Sequence, residues 1–350
     1  MKLKTIAVLF GGNSSEYEVS LQSAGAIIKN FPYDKYTLYM VGITKTGKWY
    51  HYQGEVENIL NDTWFKETMN SVSISLGINH GTMIEIINSK VVYHHIDAVL
   101  PVLHGKNGED GSIQGLMGLA NIPIIGSGIL ASALCMDKYR AHELVKSQGI
   151  KAAKSFVVSR NGLNEEIYDL KFPVFVKPLK AGSSYGISKV SEYKDLKYAI
   201  SLAFKYDDEV IIEEEVIGFE VGCAVIGNKH LEVGVVDEIE LSGGFFDFNE
   251  KYTLKSSKIH LPARIDQKTI KKIQDTAKNI YRILGCQTFA RVDMFLTPQN
   301  EIYFNEVNTI PGFTSHSRFP QMMKAAGYEF SKLIDVIIEM GLNNESNISK

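Results

Sequence analysis

Two short strings near the end of the chain carry the residue types of a metal site: Asp293 in FARVDMF, and Glu306 with Asn308 in FNEVNTIPG. Both strings read as strands, and alternation along a strand puts Glu306 and Asn308 on one face with Val307 on the other. Asp293 would sit beside them if the two strands pair. Two carboxylates and an amide oxygen make a hard, all-oxygen set suited to Mg²⁺ held against phosphate. Carboxylates embedded among Phe, Val and Met need a partner if they are buried. The cations for an anionic ligand stand upstream. Lys177 lies inside the apolar strand FPVFVKPL, where a bare ammonium is expensive, and Lys138 lies in MDK. Between Lys177 and the next strand, AGSSYGISKV supplies glycines and serines, Gly182 and Ser184 among them, that can turn backbone N–H groups toward phosphates. EVIIEEEV adds carboxylates at a strand end, where an adenine amino group and ribose hydroxyls can be met. Together these describe a nucleotide site without a P-loop. The nearest P-loop lookalike, GITKTGKW, has Trp49 where a magnesium-binding hydroxyl belongs and no helix after it, so an exposed turn is expected there. No His-Glu-x-x-His string occurs.

The elements that must position these groups fall into two styles. Residues 1–131 alternate strands (TIAVLF, LYMVGIT, DAVLPVLHG) with helices (VSLQSAGAIIKNF, IQGLMGLANI), which indicates an α/β domain with a parallel, Rossmann-like sheet. Residues 51–90 are polar and read as an irregular elaboration on it. Hairpins mixed with helices in 132–216 and 217–350 describe two α+β modules. FEVGCAVIG and LEVGVVDEI read as a two-stranded hairpin and KTIKKIQDTAKNIYRILG as an amphipathic helix. The stretch 242–257, SGGFFDFNEKYTLKSS, reads as a lid, since three Phe and a Tyr at a surface need something to cover.

Composition narrows the function classes. At 350 residues, with 45% hydrophobic and 22% charged residues, the chain can bury full cores without staples. A net charge of −3 gives no basic face for nucleic acid or an anionic membrane. Cys135, Cys223 and Cys286 sit among apolar residues with no Cys-x-x-Cys spacing and read as buried thiols. The apolar stretch Ile6 to Phe10 is too short for a signal peptide or a membrane span, so a cytoplasmic protein is expected.

The order MDK, VKP, GSS-x-G, EEE, EKY, ARVD and NEVNTIPGFTSHS, with GGNSSEYEVS and LHGKNGEDG in the first domain, resembles the D-alanine–D-alanine ligase family of the ATP-grasp superfamily over nearly the whole chain. The resemblance implies an ATP-grasp fold behind an N-terminal pre-ATP-grasp domain, with ATP between the central and C-terminal modules. It implies that Lys138 and Lys177 contact the phosphates, that Glu213, Glu214, Val216 and Glu220 hold adenine and ribose, and that Lys251 reaches the γ-phosphate. Asp293, Glu306 and Asn308 would bind two Mg²⁺, with Mn²⁺ able to substitute. Arg291 and the Gly312 N–H would steady the oxyanion, and Glu16 would bind the first D-alanine's ammonium, linked through Ser183 to Tyr252. His104 would lie near that amino acid and Ser317 near the second carboxylate. A homodimer is what the family implies.

Two departures from the D-Ala–D-Ala pattern concern the second substrate. The loop reads FFDFNEKY, placing Phe246 where a tyrosine is usual, and Arg318 follows TSHS where an aliphatic residue is usual. Both are similar to the D-alanine–D-serine ligases of vancomycin resistance, the VanG type in particular. A guanidinium can meet a serine Oγ directly or through water, and Asp237 could orient Arg318 or accept from the serine hydroxyl. D-Lactate ligases alter the EKY segment, which is intact here. Another ATP-grasp ligase would lack the GGNSSEYEVS and TSHS strings, and a non-catalytic nucleotide-binding module would have lost residues among Arg291, Asp293, Glu306 and Asn308.

Overall fold

The computed structural model describes residues 3–66, 70–74, 81–160, 169–180, 182, 186–241 and 257–343. Ser183, Ser184, Phe246, Lys251 and Tyr252, and the lid apart from Ser257, lie outside the described residues.

The N-terminal part runs β1 (Lys4–Gly11), α1 (Tyr17–Lys29), β2 (Tyr36–Ile43), β3 (Trp49–Tyr52), α2 (Val56–Leu60), β4 (Val72–Ile74), β5 (Thr82–Ile87), β6 (Lys90–His95), β7 (Ala98–Pro101), α3 (Ser112–Leu119) and α4 (Ile129–Met136). From Ile6 to Phe10 β1 is apolar without a break because both of its faces are covered: Ile6, Val8 and Phe10 enter one core, Ala7 and Leu9 another. β1 pairs in parallel with β2 on one side and β7 on the other. The loops leaving β1 and β7 therefore meet at a point where strand order reverses, a usual place for a ligand site. GITKTGKW is a turn between β2 and β3, closed by Thr44 N–H to the Lys48 carbonyl at 2.9 Å. Residues 51–90 are more regular than expected, holding β3, α2 and an antiparallel sheet β4–β5–β6. These strands are short and leave apolar residues such as Ile86 and Val91 half-exposed, which blurred their pattern.

Next come α5 (Lys138–Ser147), β8 (Lys151–Ala152), β9 (Ser155–Ser159), β10 (Val174–Pro178), β11 (Ser188–Val190), α6 (Tyr193–Ala203) and β12 (Glu209–Glu214). β11–β10–β12–β9 form an antiparallel sheet under α6. Cys135, Ala141 and Val145, from α4 and α5, pack instead with the C-terminal core.

The rest is β13 (Phe219–Gly227), β14 (Leu231–Val233), β15 (Asp237–Leu241), β16 (Ser257–His260), α7 (Gln267–Ile283), β17 (Phe289–Leu296), β18 (Ile302–Asn308), α8 (Arg318–Ala325) and α9 (Phe330–Asn343). The sheet order is β16–β15–β13–β17–β18–β8, with β14 also on β13. LEVGVVDEI is thus two strands, not one. The break falls at Gly234, where an added Cβ would stand 2.8 Å from Met322, and Val235 N–H bonds the Met322 carbonyl at 3.0 Å. α7 buries Ile273, Ala277, Ile280 and Tyr281 on Val221, Cys223 and Val292. α8 and α9 cover the opposite side, and α9's Leu333, Ile334, Ile337 and Ile338 share a core with β1.

α7 starts at Asp266, whose Oδ1 accepts from the Thr269 amide at 3.0 Å and whose Oδ2 accepts from its hydroxyl at 2.6 Å. Asp266→Ala should destabilise the fold by removing both cap bonds, read as a lower denaturant midpoint at unchanged slope.

Candidate active site

Alternation along β17 sends Ala290, Val292, Met294 and Leu296 into the α7 core and leaves Arg291 and Asp293 on the other face. β18 pairs with it so that Arg291 faces Asn308 and Asp293 faces Glu306, with a register shift just beyond. The four polar residues therefore form one patch, with Asp293 beside Glu306 and Asn308 as the strand reading expected and Arg291 added to them. Arg291 holds Asp293 by Nε to Oδ1 at 2.9 Å and Nη2 to Oδ2 at 2.8 Å, and Asn308 Nδ2 donates to Asp293 Oδ2 at 2.9 Å.

The row continues across the sheet. Gly222 lies opposite Asp293 on one side and opposite Asp237 on the other. Over this glycine sits the guanidinium of Arg318, the first residue of α8. Its Nε and Nη2 donate to Asp237 Oδ2 and Oδ1 at 2.7 and 2.8 Å, and Nη1 donates to Glu220 Oε1 at 2.7 Å and lies 3.4 Å from Asp293 Oδ1. The Arg318 side chain is only 9% exposed. A Cβ on Gly222 would stand 2.3 Å from Arg318 Nη2 and 2.7 Å from Asp237 Oδ1. Only a glycine leaves room for that seat. Burial acts to lower the Arg318 pKa, but Asp237, Asp293 and Glu220 outweigh it and hold the proton firmly. Asp237 thus takes a two-pronged contact from Arg318, and its Oδ1 also accepts from the Gly222 amide at 2.9 Å.

The loop after β18 is pinned from the N-terminal domain. His104 Nδ1 lies 2.9 Å from the Ile310 carbonyl and Nε2 3.1 Å from Ser23 Oγ. A carbonyl only accepts, so Nδ1 carries the proton and Nε2 accepts from the serine. Burial keeps this histidine neutral, against the pull of Glu16. Glu109 holds the other side of the same peptide position: Oε1 accepts from Ile310 N–H at 3.0 Å and Oε2 from Gly105 N–H at 2.9 Å. Beyond Ile310, Ser317 Oγ accepts from the Thr314 amide at 3.0 Å and crowds Gly312, where a Cβ would meet it at 2.9 Å. Glu16, in the loop after β1, has its carboxylate against two glycines, since a Cβ on Gly105 or Gly182 would lie 2.3 or 2.6 Å from its Oε2.

These residues face one cleft of about 490 Å³. Its lining includes Glu16, His104, Lys138, Gly182, Arg291, Glu306, Asn308, Gly312, Ser317 and Arg318. Asp293 and Asp237 lie beneath this wall, each 1% exposed. In the central sheet Lys177 Nζ meets Glu213 Oε2 at 2.5 Å. Burial works against the lysine's charge, but Glu213 raises its pKa. The glutamate stays below its usual range although burial pushes it up, because Lys177 and His142 pull it down. Glu213 Oε1 and His142 Nδ1 are buried with no hydrogen-bond partner among the described residues, 3.7 Å apart. Glu214 accepts from the Lys171 amide at 3.0 Å, and Val216 is half-buried beyond the end of β12.

The donor set fits Mg²⁺. Asp293, Glu306 and Asn308 supply oxygens on one face, and Arg291 and Arg318 flank Asp293. Sequence reasoning missed Glu109, Ser23 and Gly222. LHGKNGEDG carried Glu109 in plain sight, but nothing local to it indicates that its carboxylate reaches Ile310.

Buried Glu109 also titrates unusually. Desolvation, with the charges of Glu16 and Glu306, pushes its pKa up to about 8 against two backbone donors. The native chain then keeps a proton that the unfolded chain releases near pH ~4.3. Stability of the ligand-free protein should fall as pH rises from there to about 8. Melting temperatures across this window should show that slope, and Glu109→Gln should flatten it.

Comparisons with known proteins agree on one family. The D-ala D-ala ligase N-terminus model matches residues 5–127 and the C-terminus model residues 144–339. The chain is 43% identical to the vancomycin C-type resistance protein VanC1 of Enterococcus gallinarum, over 97% of this chain and 98% of that one. It is 41% identical to a D-alanine–D-alanine ligase of Caldicellulosiruptor bescii, over 97% of this chain and 95% of that one. The crystal structure of the VanG D-Ala:D-Ser ligase of Enterococcus faecalis superposes with a TM-score of 0.90 at 54% identity, covering 97% of this chain and 99% of that one. The architecture is accordingly the ATP-grasp one.

Proposed function

The chain belongs to the D-alanine–D-alanine ligase family, which uses ATP and Mg²⁺ on small amino acid substrates, and from that premise we propose that it joins D-alanine to D-serine. The observation that carries the serine reading is the seat of Arg318, a buried guanidinium in the cleft wall beside Ser317. Its five N–H groups exceed the three hydrogen bonds that Asp237 and Glu220 take, leaving donor capacity for a hydroxyl. Likeness to the VanG D-Ala:D-Ser ligase supports the same reading.

In this reading Glu16 binds the ammonium of the first D-alanine, with His104 and Glu109 holding the loop that faces it. Lys138 and Lys177 take the phosphates of ATP, beside backbone N–H groups of the segment around Gly182 and Ser184. Glu213, Glu214, Val216 and Glu220 line the adenine and ribose side. Asp293, Glu306 and Asn308 hold Mg²⁺, or Mn²⁺ in its place, which offsets the repulsion between carboxylate and phosphate. A D-alanine carboxylate oxygen attacks the γ-phosphorus and ADP leaves. The second amino group then attacks the acyl carbon, the oxyanion is met by Arg291 and the Gly312 N–H, and phosphate departs as the amine loses its proton. Ser317 steadies the second carboxylate. By the family resemblance, Ser183 and Tyr252 would link to Glu16, Lys251 would reach the γ-phosphate and Phe246 would bear on the second substrate. We place the enzyme as a cytoplasmic homodimer making peptidoglycan precursors in vancomycin resistance. Among the described residues no helix is long and apolar enough to cross a membrane.

D-Alanine as the second substrate is the alternative, favoured by one observation: three carboxylates already occupy Arg318. Product analysis decides between them. With D-alanine fixed and D-serine and D-alanine competing under Mg-ATP, D-Ala–D-Ser should exceed D-Ala–D-Ala by about tenfold, the worth of a charge-assisted hydrogen bond of roughly 1.5 kcal/mol. Arg318→Leu and the charge-preserving Arg318→Lys should both erode that ratio. A wild-type excess of D-Ala–D-Ala would sink the serine reading and leave the ligase standing. Gly222→Ala is expected to erode the ratio too, because its methyl displaces the guanidinium, at a stability cost of about 1–3 kcal/mol.

A further inference from the structure

Away from the cleft, the N-terminal domain gathers two histidines and a carboxylate that no part of the ligase chemistry uses. His51 comes from β3, the antiparallel edge strand of the four-stranded sheet β3–β2–β1–β7, while Glu85 and His94 come from β5 and β6 of the small antiparallel sheet. His51 Nδ1 lies 2.9 Å and His94 Nε2 2.7 Å from the same atom, Glu85 Oε2, and the three atoms all lie within 4.8 Å of one another. The side chains are 8%, 3% and 27% exposed. The contact with His94 is not a hydrogen bond: Nε2 is buried and has no hydrogen-bond partner among the described residues, although it stands 2.7 Å from the carboxylate. A buried nitrogen beside an oxygen it does not donate to is what a shared third centre explains. Glu85 is also oriented from behind, its Oε1 accepting from Asn70 Nδ2 at 3.0 Å, so that Oε2 is the atom turned to the histidines. Tyr39 of β2 lies against both rings, stacked on His51 at 4.0 Å and tilted on His94 at 5.0 Å.

We propose that His51, Glu85 and His94 form a Zn²⁺ site that clips the β4–β5–β6 sheet to the β3 edge of the four-stranded sheet. Two imidazole nitrogens and one carboxylate oxygen are a borderline donor set that zinc takes at about 2.0–2.2 Å, with water completing a tetrahedron. Bonds of that length at tetrahedral angles place donors roughly 3.3 Å apart; the two nitrogen–oxygen pairs, at 2.9 and 2.7 Å, would widen slightly to reach it, and the two nitrogens lie within 4.8 Å of each other. The Asn70–Glu85 hydrogen bond is the outer contact that fixes the ligating oxygen. The site joins two sheets otherwise linked at this edge by little backbone pairing, among it the isolated bridge Tyr50–Ser71. Because the ligands converge only in the folded chain, ion binding adds to folding stability. The donor positions, 51, 85 and 94, match no short zinc motif.

The test uses the full chain, stripped of metal by chelator and free of nucleotide. After incubation with ZnCl₂ and desalting, metal analysis should find one Zn²⁺ per chain, and the melting temperature should rise by several degrees. The double variant His51→Ala/His94→Ala should lose the retained zinc and the thermal gain while keeping D-alanine-dependent ADP release under Mg-ATP. Loading the wild-type chain with Co²⁺ checks the site without any substitution, since tetrahedral nitrogen–oxygen coordination gives intense visible bands. Zinc retained equally by the double variant, no retained zinc in the wild type, or a Co²⁺ spectrum of the hexaaqua type would each overturn the proposal.

Discussion

Carboxylates crowded on one face of a sheet repel each other, and the C-terminal sheet of this protein carries Asp237, Asp293, Glu220 and Glu306 within the span of four adjacent strands. Two guanidinia make that crowding tolerable. Arg291 and Arg318 each grip an aspartate with a two-pronged fork, and Arg318 spans three acidic partners at once. In a low-dielectric setting such pairs barely offset their desolvation, and removing one member costs about 3–5 kcal/mol because the others are left uncompensated. The arrangement therefore behaves as a single unit. It also fixes the start of α8, whose Phe319, Met322 and Met323 are anchored in the core behind it.

A second constraint runs between domains. The Ile310 peptide unit is held on both sides from one N-terminal loop, its amide by Glu109 and its carbonyl by His104. Gly312 and Ser317 lie just beyond. The cleft thus has a wall whose geometry belongs to two domains, and the loops of β1 and β7 reach it because parallel pairing brings their ends together.

Much of this was legible in the sequence where the signal is local. The period of β18 predicted that Glu306 and Asn308 share a face, with Asp293 of β17 beside them, and the apolar run of β1 marked a buried strand. What escaped depends on contacts distant in sequence. Gly222 looks like any strand glycine until Arg318, far along the chain, is seen above it. Glu109 sits in a conspicuous string, yet its partner Ile310 lies some two hundred residues away. The break at Gly234 is imposed by Met322, and β4–β6 were masked by half-exposed apolar residues that blur a period-two pattern. Propensity cannot report any of these, because tertiary packing decides them.

The last helix has a bearing on how the chain is made. Leu333, Ile334, Ile337 and Ile338 of α9 belong to the same core as Ile6, Val8 and Phe10 of β1. A ribosome delivers β1 about three hundred residues before α9. During synthesis the first strand's apolar face waits for a covering that is still untranslated, so the N-terminal sheet cannot complete its core as it emerges. The N-terminal sheet therefore closes that core only once α9 has been made, so its domain does not mature ahead of the rest as domains along a nascent chain usually do.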